Sequence, residues 1–200
     1  MTELRKLYLY DESTGRDAKF DSMTDALTVI SYPHHEIHGG STYHVQNYNG
    51  TVGGGNSISI SFKTPSGTKR AHMNFSFASS GSSHLTVAEG ATWTTNTGTV
   101  VAPTNQRRDS TNTSMLLEDK TATPAFTAGG VLTDATAVGA GTTLRNVYVF
   151  TEKKVGGDSS HDSEIILDVD ETYTISLTND ELTDQSLILH LEWYEHTDAS

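Results

Sequence analysis

In four runs of this chain, apolar residues recur at every second position, and this period constrains the fold more than any other feature. Ile58, Ile60 and Phe62 alternate with Ser57, Ser59 and Ser61. Met73, Phe75 and Phe77 alternate with His72, Asn74 and Ser76, and Tyr173, Ile175 and Leu177 with Thr172, Thr174 and Ser176. In the last run Leu187, Leu189, Leu191 and Trp193 share one face, opposite Ile188, His190, Glu192 and Tyr194. A period of two sends successive side chains to opposite sides of a strand, so each run predicts a strand with one face in a core. Weaker alternation predicts further strands over 42–48, 84–88, 97–101, 146–152 and 164–169. Ser and Thr make up roughly a quarter of the residues, which suits short strands joined by turns.

These signals predict an all-β chain: a single jelly-roll-like β-sandwich with a short N-terminal arm and helix and one long loop. The expected division is an arm over 1–31 and the sandwich over 32–200. Within the arm, Met23, Ala26, Leu27 and Ile30 fall at helical spacing, and Ser22 with Asp25 offers a capping-box start. Pro33 is expected to end that helix, because it disfavours helical geometry at Tyr32. Between Ala102 and Gly141 no period is sustained, and a loop of that length in a compact domain is functional or belongs to an interface. Gly53–Gly55 and Gly156–Gly157 are expected to be turns.

The chain of 200 residues has no Cys, so neither a disulfide framework nor a thiolate metal site is available. No apolar leader opens the sequence and no run of apolar residues is long enough to span a bilayer, so neither a signal peptide nor a membrane span is expected. The net charge of −12 is unevenly distributed. Lys154 is the last basic residue, and twelve carboxylates lie between Asp158 and Asp198. Such a chain repels nucleic-acid phosphates. The acidic third reads first as a solvated face, with cation binding or docking on a basic partner as the alternative.

The densest polar cluster is Tyr32-Pro33-His34-His35-Glu36-Ile37-His38-Gly39-Gly40, with His44 close by. Imidazoles and a carboxylate at this density could ligate zinc. The pair His35 and His38 is one residue short of the helical spacing used by zinc proteases. On a strand His34, Glu36 and His38 would share one side, yet their order departs from that of cupins. The competing readings are a hydrogen-bonded packing feature and a contact between subunits. The acidic turns at Asp168–Glu171 and Asn179–Glu181 could offer oxygen ligands to calcium, but neither has EF-hand spacing, and turn formation accounts for both. Trp193 and Tyr194 could form a sugar platform, against which stands the position of Trp193 on the apolar face. No nucleophile elbow or phosphate loop is present, so no catalytic residue, cofactor or metal is assigned and enzymatic activity is not expected.

The run from Tyr32 to Tyr43 resembles a recurrent segment of auxiliary head proteins of tailed viruses. The loop Asn105-Gln106-Arg107-Arg108, the Gly156-Gly157 pair ahead of a strand, and the closing Leu191-Glu192-Trp193-Tyr194-Glu195-His196-Thr197 are similar to further segments of that group. The resemblance spans roughly Leu27 to the C-terminus. It implies a decoration or cement protein of the bacteriophage type. Such a protein is made in the host cytoplasm and carried on the outer capsid surface of the virion, commonly as a jelly-roll homotrimer. Its partners would be the major capsid protein and copies of itself, with no nucleic acid or membrane. Tyr32, His34, His35, Glu36, His38, His44, Arg107 and Arg108 are the expected interface residues. One rival is a receptor- or glycan-binding β-sandwich of a tail fibre or spike, using Tyr48 or Tyr194. The other is a cupin-like metalloenzyme using His34, Glu36, His38 and His44.

Overall fold

The computed structural model describes residues 10–11, 16–17, 32–120, 126–149, 155–158 and 164–197. The chain divides into two compact units, Met1–His35 and Glu36–Ser200. In the first, β1 (Tyr10–Asp11) pairs antiparallel with β2 (Arg16–Asp17). The helix expected from Met23 to Ile30 lies outside the described residues. A helix is observed at α1 (Tyr32–Gly39), with Pro33 in its first turn. Proline is tolerated there because the first-turn N–H groups have no intrahelical acceptor.

The second unit begins with four strands, β3 (Thr42–Val52), β4 (Ser57–Lys63), β5 (Lys69–Ser79) and β6 (Ser83–Glu89). Shorter pieces follow: β7 (Thr92–Trp93), β8 (Thr99–Val101), β9 (Thr104–Asn105), β10 (Leu117–Glu118), β11 (Thr127–Ala128), β12 (Val131–Thr133) and β13 (Ala137–Gly139). The unit continues with β14 (Thr142–Val149), β15 (Val155–Asp158), β16 (Ile165–Ile166), β17 (Thr172–Asn179) and β18 (Gln185–Thr197).

One sheet has the order β11-β10-β4-β17-β6-β14, with β12 also on β4 and joined to β8. The other has the order β15-β5-β18-β3-β9, with β16 also on β5. The pairings are antiparallel. Successive long strands alternate between the sheets, from β3 to β4 to β5 to β6 and again from β17 to β18, a jelly-roll-like connectivity. The alternating apolar residues meet between them. Ile58, Ile60, Phe62, Val87, Tyr173, Ile175 and Leu177 come from one sheet, and Tyr43, Met73, Phe75, Leu189, Leu191 and Trp193 from the other. Tyr43 stacks on Trp193 at 5.9 Å and Phe62 on Tyr173 at 5.8 Å, so aromatic pairs sit within the core of each sheet. The chain is an all-β sandwich.

The expected long loop is corrected. Between residues 102 and 141 the chain makes β9 to β13, and β12 lies between β4 and β8, with Leu132 opposite both Ser61 and Val100. Leu116, Val131 and Leu132 are fully buried. Strands of two or three residues are too short to express a period, although their side chains fill the core. The Gly156–Gly157 pair is also corrected: it lies within β15, opposite Ala78 and Phe77 of β5. The Gly53–Gly55 turn is as expected. A Cβ on Gly54 would come within 2.5 Å of the Glu181 carbonyl oxygen, so glycine is required where the turn crosses the 179–183 loop. Among the described residues no helix is long and apolar enough to cross a membrane.

Candidate functional site

The end of α1 makes the site. Gly40 adopts φ +72°, and the amide of Gly40 donates to the Ile37 carbonyl (3.0 Å) while that of Ser41 donates to Glu36 (3.1 Å). This is a Schellman termination, and it leaves the His38 and Gly40 carbonyls without helical donors. The loop after β9 supplies them. Arg107 Nη1 donates to the His38 carbonyl at 2.7 Å, and the side-chain amides of Asn105 and Asn112 donate to Gly40 at 2.9 and 3.2 Å. A guanidinium beside a helix C-terminus also complements the helix dipole. The loop approaches so closely that a Cβ on Gly40 would meet Ser110 Oγ at 2.6 Å.

The same junction holds the last strand. The Gln106 amide donates to Thr42 at 2.9 Å, and Gln106 Nε2 donates to Glu192 Oε1 at 2.6 Å. The Glu195 amide donates to the Ser41 carbonyl at 3.0 Å. Thus residues 36–43, the loop 105–108 and the terminal run 191–197 meet at one corner of the sandwich.

The corner is fixed inside and polar outside. Glu36 is buried and its carboxylate accepts from Ser41 Oγ. Tyr32 opens α1, on which His34, His35 and His38 are exposed, as are Arg107 and Arg108 on the loop. Arg107 Nε donates to Asp109 Oδ1 at 2.9 Å; this hydrogen bond holds the guanidinium pKa up and the Asp109 carboxyl below the usual carboxylate range. His44 faces elsewhere, on the outer side of β3, with its ring 5.6 Å from that of His190.

The strand-like alignment of His34, Glu36 and His38 is replaced by a helix, and the ligand set proposed for a metalloenzyme is not assembled. Glu36 turns inward to Ser41 and His44 lies beside His190. Among the described residues no three His, Asp or Glu side chains are grouped to hold a metal ion. The sugar platform is corrected too, since Trp193 and Tyr194 are both buried. The acidic turns use their carboxylates internally. Asp168 pairs with Arg70 at 3.0 Å, Asp170 with Lys63 at 2.7 Å and Asp180 with His84 at 2.7 Å. Glu181 accepts from the Ser82 amide at 3.0 Å, and the Ser82 hydroxyl and then this amide lower its pKa; in Asp168 the Val169 amide and then Arg70 do the same.

One group escapes sequence reasoning. His72 of β5 stacks on Tyr194 of β18 at 4.6 Å and lies 4.5 Å from the His196 ring. Glu164 accepts from Tyr194 at 3.0 Å and pairs with His72 at 3.2 Å. The alternation of β18 places Tyr194 and His196 on one face; that β5 lies alongside has no local signal. No family model, curated protein or solved structure matches this chain.

Proposed function

We propose that this chain is a structural protein of a viral head that docks on the assembled shell through the corner built by the end of α1 from Glu36 on, the 105–112 loop and the end of β18. The observation that carries the proposal is the convergence of segments. Three of the four stretches that resemble auxiliary head proteins are distant in sequence, yet they are joined by hydrogen bonds from Arg107, Asn105, Gln106 and Glu195. Hydrogen bonds fix the backbone while His38 and Arg108 face outward, so little ordering cost remains to be met on binding. On a molecule of net charge −12 the exposed Arg108 suits an acidic patch on the major capsid protein.

Binding only to the assembled shell stabilises it by mass action, and a homotrimer engaging several shell subunits gains avidity from modest contacts. The fold acts here as a clamp and not as a catalyst. Co-sedimentation with purified shells that lack this protein tests the reading. Wild type should pellet saturably, and the double variant His38→Glu/Arg108→Glu should bind about tenfold more weakly, a difference of about 1.4 kcal/mol per contact set. Wild type remaining in the supernatant at every concentration would overturn it.

A further inference from the structure

The outer face of the β4–β17–β6 sheet carries a groove of about 400 Å³, within the range of small-molecule sites. Its floor consists of hydroxyl rows in register. Ser57 lies opposite Thr178, Ser59 opposite Ser176, and Ser61 opposite Thr174. The outer rows are closed on themselves, with Ser57 and Thr178 hydroxyls 2.8 Å apart and those of Ser61 and Thr174 2.9 Å apart. In the middle row the Ser59 and Ser176 hydroxyls have no hydrogen-bond partner among the described residues, and both line the groove. The sheet therefore leaves its unspent hydrogen-bonding capacity at the centre of the floor.

The walls add two different chemistries. Asp134 sits at φ +54°, a left-handed conformation. One carboxylate oxygen accepts from the Ser59 amide (2.8 Å) and from Asn47 Nδ2 (2.9 Å), which leaves Oδ2 for a ligand. Opposite, Trp93 is fixed by its Nε1 bond to Asp119 (2.9 Å) and by edge-to-face packing with Phe126 at 6.3 Å. It stands on the β7–β13 ladder, whose register shifts between Ala137 and Gly139, and such bulges re-aim side chains. Methyl groups of Ala88, Ala91 and Ala137 complete the lining.

We propose that this groove binds a neutral saccharide. A sugar ring presents C–H faces to an indole and to methyl groups, and hydroxyls to serines and a carboxylate. A wholly apolar ligand would desolvate Ser59, Ser176 and Asp134 without replacing their hydrogen bonds with water. An anionic ligand finds no cation: Asp134 is the charged residue of the lining, and the molecule carries −12. The site shares no residue with the docking corner, so a bound shell and a bound glycan are compatible and their tests independent.

The full chain is applied to an array of neutral and anionic oligosaccharides at equal density, and the neutral hits are titrated by calorimetry. Wild type should bind neutral glycans and not anionic ones. Ala137→Tyr, which fills the mouth from an exposed position, should abolish binding. Ser59→Ala/Ser176→Ala removes hydroxyls that hold nothing in the fold and should weaken binding at least tenfold with an unchanged thermal melt. A silent array, binding to anionic glycans alone, neutral binding that survives Ala137→Tyr, or undiminished affinity in the serine double variant would overturn the proposal.

Discussion

Glu195 lies on the core face of β18 with Leu191 and Trp193, and only 1% of it is exposed. It accepts from Ser114 Oγ (2.6 Å), the Met115 amide (3.0 Å) and Trp193 Nε1 (2.9 Å), so it anchors the segment that leads into β10. Burial nevertheless outweighs these donors and Lys69, and raises the carboxyl above its usual range. It also helps to push the Tyr43 phenol, already desolvated, up to about 12. A raised carboxyl pKa means that the fold holds the proton more tightly than the unfolded chain does. The resulting stability is complete below the unfolded value of about 4.3 and is lost as pH rises through the folded one. Urea melts at successive pH should therefore show wild-type stability falling across that window, and Glu195→Gln should lack the fall. Glu195→Ala orphans buried donors and should cost about 3 kcal/mol at neutral pH.

Asn105 is the second residue on which the corner depends. It donates to Gly40 and Asn112 and accepts from the Arg107 amide at 2.9 Å. Asn105→Ala should lose about 1–2 kcal/mol and expose the Arg107–Arg108 bonds to faster trypsin cleavage. The sequence marks such residues by type. It does not show that an Asn in one loop meets the end of a helix 65 positions earlier.

Among the elements, legibility follows length. β4, β5, β17 and β18 run for seven residues or more, enough to express a period of two, and all were predicted. β12 has three residues, all buried, in a stretch read as loop. If β12 is core, Leu132→Ala should cost about 2–5 kcal/mol in chemical denaturation. Val138→Ala, in the neighbouring β13 and 71% exposed, should stay within about 0.5 kcal/mol. Similar effects at both positions would return this stretch to the status of a loop. α1 escapes the sequence for another reason: Pro33 is a stop signal within a helix and a start signal at its first turn, and only context separates the two.

For the whole molecule, composition and period reached the all-β sandwich, while the corner proposed for docking needed the third dimension. The sequence singled out 32–43, 105–108 and 191–197 separately, and hydrogen bonds to residues 38–42 bring the last part of the first together with the other two. The groove had less local signal still. Its serines were visible as the polar half of a strand, but the row that leaves Ser59 and Ser176 unspent depends on the register of β4 with β17. If the protein clamps a shell at three-fold positions, its mass in solution should be that of a trimer, which sedimentation equilibrium measures directly. The decisive measurement is the resistance of purified shells to heat and salt, with and without this protein. Decorated shells should rupture at a higher temperature, and the gain should shrink with His38→Glu/Arg108→Glu. Equal rupture temperatures at saturating protein would contradict the account.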